Sequence, residues 1–145
     1  MVYIRYAWLK PGCNAAVVDP FDRRKVWRMK DIKLGSQGES LAEKYLKKKG
    51  YLMIERNFRC KYGEIDIIAM DGPTLVFVEV KTRRSLRYGL PCEAVNDAKI
   101  RHLKRMVSYY MTVCGMENRD ARIDVIEILM EAECPYLRHI ENITG

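Results

Sequence analysis

Three ionisable residues interrupt two apolar runs: Asp66 in "GEIDIIAMD", and Glu79 and Lys81 in "TLVFVEVKTR". The runs of Ile, Val and Phe on either side of Asp71-Gly72 read as two buried strands joined by a turn. Successive side chains of a strand face opposite ways, so Phe77, Glu79 and Lys81 share one face and Val76, Val78 and Val80 the other. An even-length hairpin loop brings Asp66, and Glu64 with it, to the face of Glu79 and Lys81. With Asp71-Gly72 as the loop, Asp66 faces Phe77 and lies diagonal to Glu79. With a four-residue loop through Thr74 it faces Glu79 directly, and an odd-length loop separates them. The Asp-Gly signal favours the even case.

Two half-buried carboxylates placed in this way repel one another, and burial raises the cost of keeping both ionised. Lys81 neutralises one charge. Converging carboxylate oxygens are also what Mg²⁺ or Mn²⁺ takes as ligands, with water completing the octahedron. A lysine two residues from such a glutamate lies where it can orient an attacking water or stabilise charge developing on a phosphate. Taken singly, each of the three residues fits the polar face of a half-solvated sheet. Taken together, as interruptions of apolar strands that land on one face, they point to a metal site.

The neighbouring elements are legible from their punctuation. "SQGESLAEKYLKKKG" predicts a helix with Ser36 as N-cap and Glu39 three residues on, a capping box. Leu41, Ala42, Tyr45 and Leu46 form its apolar face and Gly50 its stop. The capping box accounts for Glu39 without chemistry, and Gly38 beside it leaves room for a substrate or metal to approach. "YLMIERNFR" predicts a strand. Leu103, Met106, Val107, Tyr110, Met111 and Cys114 recur at helical spacing up to Gly115 and predict a long amphipathic helix. Lys99, Arg101, Lys104 and Arg105 lie off that stripe, Lys99 reads as a solvated residue, and Tyr109 and Tyr110 as core. "ARIDVIEILM" predicts a strand, "CPYLRHIENI" a short last one, and Asp124 a structural acid paired with Arg122 or a neighbour. The order is that of one mixed α/β domain, a central sheet flanked by helices. Residues 1 to 28 show no clean periodicity and receive no element.

Composition narrows the function. The 145 residues are 48% hydrophobic and 31% charged, the balance of a folded domain with a core. No run reaches the ~20 apolar residues of a membrane span, and the start of the chain lacks the pattern of a signal peptide, so a cytoplasmic location is expected. Five cysteines without a C-x-x-C pair and two histidines give neither a disulfide framework nor a zinc site. The net charge of +7 is uneven. Residues 1 to 33 carry eight basic and three acidic residues, residues 44 to 61 seven and one, residues 81 to 105 eight and two, and residues 117 to 141 three and seven. One basic face and one acidic end is the expected arrangement, and a basic face invites a nucleic acid.

The stretch from Leu34 to Met130 resembles the YraN family, an endonuclease-like family of bacterial proteins. G-x-x-G-E, N-x-R, G-E-I-D-x-I-A and F-V-E-V-K-x-R carry the resemblance, with "GLPCEAVNDAKIRHL" and "RIDVI" downstream. More remotely it is similar to restriction-endonuclease-like nucleases and archaeal Holliday-junction resolvases, which share a helix glutamate, an aspartate on one strand and E-x-K on the next. The resemblance implies a restriction-endonuclease-like core with Glu39, Asp66, Glu79 and Lys81 catalytic, and Asp66 and Glu79 holding Mg²⁺ or Mn²⁺. Many members of the wider superfamily have Pro-Asp at the first acid, where this chain has Ile65-Asp66.

The expected function is metal-dependent hydrolysis of phosphodiester bonds in DNA, branched or damaged DNA included. Arg56, Arg59, Arg83, Arg84, Lys99 and Lys104 would grip phosphates. The alternatives are a protein that keeps the fold and binds nucleic acid or a partner without cleaving, and a buried structural network. A homodimer, as in resolvases, is a further expectation. Family chains begin a few residues before G-x-x-G-E, so Met29 is the expected natural start of a single domain over 29–145, with residues 1–28 an extension, disordered or not native.

Overall fold

The computed structural model describes residues 3–8, 34–84, 97–130 and 135–145. Strand β1 is Tyr3–Trp8, helix α1 Leu34–Lys48, strands β2, β3 and β4 Leu52–Cys60, Gly63–Asp71 and Thr74–Arg83. Helix α2 is Asp97–Val113, and strands β5 and β6 are Ala121–Leu129 and Tyr136–Glu141. The strands form one sheet in the order β1-β6-β5-β4-β3-β2. Only β4 and β5 run parallel, which α2 makes possible by carrying the chain back between them. The remaining pairs are antiparallel.

The sequence alone assigns no element to Tyr3–Trp8. Its pairing with β6 is a long-range contact that local periodicity does not record. The expectation placed on Met29, and on residues 1–2 and 9–28, falls outside the described residues.

Alternation sorts the strand residues to two cores. Ile67, Ala69, Val76, Val78, Ile126, Ile128 and Leu137 pack with Ala42, Tyr45 and Leu46 of α1. Ile68, Leu75, Phe77 and Ile123 pack with Leu103, Met106 and Tyr110 of α2. Both helices end as their glycines predict. Gly50 and Gly115 have φ of +88° and +63°, and the amides of Tyr51 and Met116 reach back to the carbonyls of Leu46 and Met111 at 3.0 and 2.8 Å. With Gly50 N to Lys47 O and Gly115 N to Thr112 O, these are Schellman stops.

The start of α1 differs from expectation. The helix begins at Leu34, so Ser36 lies inside its first turn rather than at the N-cap. The Glu39 carboxylate accepts from Asn57 and Arg56 of β2.

Candidate metal centre

The β3–β4 hairpin takes an even register, with Asp71 opposite Thr74 and Ile67 opposite Val78. Its two-residue loop is Gly72-Pro73 rather than Asp71-Gly72. Gly72 has φ +57°, and a proline at the second position has negative φ, the signs of a type II′ turn. Carried one pair further, this register sets Asp66 against Glu79, but the recorded ladder stops at Ile67 and Val78. There Asp66 Oδ2 accepts the Val80 amide at 2.6 Å. A side chain replaces the backbone carbonyl as acceptor, and alternation slips: Ile65 and Ile68 both join the α2 core while Ile67 joins the α1 core.

Glu79 is buried on the α2 side of β4. Its Oε1 accepts Lys81 Nζ at 2.6 Å and Lys99 Nζ, from α2, at 2.9 Å. Burial pushes the Glu79 carboxyl up, but the two ammonium groups outweigh it and hold it below the usual carboxylate range. Asp66 goes the other way. Burial, with the nearby charges of Glu79 and Glu39, lifts it to about 6 against the opposing pull of the Val80 amide and Lys81. Two acids so close have been driven apart in acidity.

Glu39 approaches from the α1 side. A Cβ on Gly38 would overlap the Thr82 hydroxyl and come within 2.9 Å of Thr82 Cβ, so glycine is what lets the helix lie directly on β4. The room at Gly38 is taken by the strand, not left for a ligand. Glu39 Oε2 accepts Asn57 Nδ2 at 2.8 Å and Arg56 Nη2 at 3.4 Å. Asn57 has φ +50°, a backbone state asparagine adopts more readily than most residues, and by register it lies opposite Asp66. Sequence reasoning passed over Asn57 except as part of N-x-R. A lone asparagine inside a β-rich run was the available signal.

Asp66 and Glu79 fit a hard divalent cation. Asp66 Oδ1 and Glu79 Oε2 take no hydrogen bond among the described residues, and Mg²⁺ is commonly held by one or two carboxylates with water and phosphate. Glu39 does not complete a cage: no group of three or more His, Cys, Asp or Glu side chains among the described residues is placed to hold a metal ion. Glu64 is drawn off by Arg59, at 3.1 Å.

The basic residues divide. Lys99, expected as a solvated residue, is an ion-pair partner of Glu79. Arg56 bridges Glu39 and Glu43, and Arg59 holds Glu64. Arg83 lies at the end of β4, and Arg84 and Lys104 are exposed. Tyr110 is core as expected, whereas Tyr109 is only half-buried and meets Tyr62 edge-on. A cavity of about 330 Å³ lies towards the C-terminal end of α2, lined by Lys104, Met111, Glu117 and Arg122 among others; none of the four acid and lysine site residues lines it.

Asp124 is the structural acid expected, with a larger partner set. It accepts from Arg122 at 3.1 Å, the Asn142 amide at 2.8 Å and lies 2.9 Å from His139 Nε2. Arg122 extends the network to the Tyr51 hydroxyl and Asp71. Burial opposes the charge on Asp124, but these partners hold its carboxyl low.

A mixed sheet with a helix on each face, bearing an aspartate on one strand and E-x-K on the next, is an α/β fold consistent with a restriction-endonuclease-like core. A family model described as Uncharacterised protein family UPF0102 matches residues 38–128. The chain belongs to that family, which is the YraN family its motifs resemble. The UPF0102 protein of Caldicellulosiruptor saccharolyticus is 50% identical over 105 residues, covering 72% of this chain and 89% of that protein. The one from Alkaliphilus metalliredigens is 53% identical over 100 residues, covering 69% and 88%. The one from Geobacter sulfurreducens is 48% identical over 110 residues, covering 75% and 86%. No helix among the described residues is long and apolar enough to cross a membrane.

Proposed function

We propose that this protein is a metal-dependent nuclease that hydrolyses phosphodiester bonds in DNA, with branched or damaged DNA as its preferred class. The observation that carries the reading is the hydrogen bond that ties Asp66 to Val80, between Glu79 and its ion-pair partner Lys81, where β3 and β4 leave their ladder, with one carboxylate oxygen of each acid free of hydrogen bonds among the described residues. Asp66 and Glu79 would hold Mg²⁺ or Mn²⁺, which when bound supplies Lewis-acid stabilisation of a phosphoryl oxygen and an acidified water. The Val80 amide fixes the Asp66 carboxylate and so aims its other oxygen. Lys81, an ammonium in its ion pair, is a donor only, so its part is to orient water and stabilise charge on the phosphate rather than to remove a proton. Glu39, held by Asn57 and Arg56 on the far side of Asp66, adds negative charge at the α1 edge and assists through a water or a second cation.

Arg83, Arg84 and Lys104, with Arg101 and Arg105 exposed on α2, would supply phosphate contacts, which give affinity that falls steeply with salt. Lys99 is available to phosphate only as it is released from Glu79. A cytoplasmic location and a homodimer accompany this reading as proposals.

The test is incubation of the purified protein with linear, nicked, flapped and four-way DNA in Mg²⁺ or Mn²⁺. Cleavage that requires the metal and favours the branched substrates is expected. Binding to the panel without cleavage in either metal would replace the nuclease by a non-catalytic nucleic-acid-binding protein.

A further inference from the structure

Glu127 is a buried acid outside the proposed metal centre. It is 4% exposed, its Oε1 has no hydrogen-bond partner among the described residues, its ion pair to Arg138 Nη1 across the β5–β6 ladder is 3.5 Å long, and Arg83 adds a second positive charge nearby. Arg138 Nε is likewise buried without a hydrogen-bond partner among the described residues. Burial pushes the Glu127 carboxyl up. Buried polar atoms left unsatisfied are rare and costly, so each calls for a role or a further partner.

The register shows what Glu127 adjoins. In the parallel β4–β5 ladder Lys81 is paired with Glu127, and Glu79 with Val125. Ile126 and Ile128 face α1, so Glu127 lies on the opposite face, which is that of Glu79 and Lys81. Neighbouring strands are ~4.8 Å apart, within the span of a lysine side chain. Lys81 therefore has two carboxylates in reach, one at Glu79 and one at Glu127 with an oxygen to spare.

We propose that Glu127 is a positioning residue for Lys81, the carboxylate to which the ammonium passes when a cation takes the oxygens of Glu79. The inference rests on the reading that Glu79 is a cation ligand. An ammonium 2.6 Å from Glu79 Oε1 is tolerable beside a lone carboxylate and repelled once a divalent ion shares it. Transfer to Glu127 keeps the lysine charged and on the same face, and satisfies the orphaned Oε1. The Glu127–Arg138 pair then holds Lys81 in place rather than merely bridging two strands.

Two experiments decide it. The first is the crystal structure of the full-length Glu79→Gln protein, in which the charge that holds Lys81 is removed without metal or DNA. Lys81 Nζ is expected within hydrogen-bond distance of Glu127; a lysine still on residue 79 or turned to solvent overturns the proposal. The second is cleavage kinetics of folded Glu127→Gln and Glu127→Asp proteins. Removing the charge is expected to lower kcat on the order of tenfold to a hundredfold with KM for DNA little changed, and the aspartate to restore part of it. Unchanged kcat in Glu127→Gln overturns the proposal whatever the crystal shows. If the parent protein cleaves no DNA, the nuclease reading fails, and the Glu79→Gln structure alone still decides where Lys81 goes.

Discussion

Asp66 Oδ2 accepts the amide of Val80, at 2.6 Å, and Val80 is the residue between Glu79 and Lys81. A single hydrogen bond therefore ties the first acid of the site to the strand that carries the second acid and the lysine. The position of each depends on β3 and β4 parting where they do.

The pH behaviour of Asp66 follows from its environment. Burial and the charges of Glu79 and Glu39 raise it to about 6, above the ~4 of an unfolded aspartate. In the metal-free protein this group's contribution to stability is fully present below about pH 4 and lost as pH rises through about 6. Asp66→Asn, whose carbonyl still accepts the Val80 amide, should therefore make the metal-free protein more stable at pH 7.5, by about 1–3 kcal/mol. Denaturant unfolding at pH 4 and 7.5 checks this: the gain should be present at the higher pH and small at the lower.

If Asp66 is a metal ligand, as proposed, the same group sets the pH dependence of metal binding. A carboxylate must lose its proton to ligate, so Mn²⁺ affinity should fall about tenfold per pH unit below about 6. Calorimetry in buffers of different ionisation heat should show proton release at pH 5.5 and little at pH 7.5.

Lys99 is expected to matter for folding as well as for the site. Its ammonium and that of Lys81 keep Glu79 ionised against burial. The depressed carboxyl contributes stability that is present above the ordinary glutamate range and lost as pH falls through its lower folded value. Lys99→Met should lessen that contribution, costing about 1.5–3 kcal/mol at pH 7, as measured by denaturant unfolding.

Gly38 is predicted to be the least replaceable glycine of the site. Gly38→Ala drives a methyl into Thr82, so α1 must lift from β4 and take Glu39 with it. A loss of about 1–3 kcal/mol is expected, partly recovered by Thr82→Ala, which removes the hydroxyl that the new Cβ meets first. Thermal unfolding of the two single variants and the double variant gives the comparison.

Asp124→Ala tests the second buried network. It leaves the fully buried His139 without the Asp124 carboxylate and Arg122 with Asp71 alone, and a loss of about 3–5 kcal/mol is expected from the denaturation midpoint. Because Asp124 belongs to the α1 side of β5, metal affinity measured on the folded fraction should be unchanged.

The sequence made much of this legible because the strands alternate cleanly. Phe77, Glu79 and Lys81 on one face and Val76 and Val78 on the other follow from period two alone, and the two glycine helix stops follow from local chemistry. What it hid were contacts across the fold. The extra strand Tyr3–Trp8 exists through β6, and α1 begins at Leu34, two residues before Ser36. Lys99 looked solvated because nothing local says that a helix will lay it on a buried glutamate. Glu127 drew no reading from the sequence, because only the parallel register sets it opposite Lys81.

The most direct measurement is single-turnover cleavage of four-way and linear DNA in Mn²⁺ by the parent protein, Glu79→Ala and Lys81→Ala, each shown to be folded by circular dichroism. The nuclease reading predicts metal-dependent cleavage by the parent, loss of cleavage in both variants, and DNA affinity largely retained. Parent and variants cleaving alike, or a folded parent that binds Mn²⁺ and DNA and cleaves neither substrate, would contradict it.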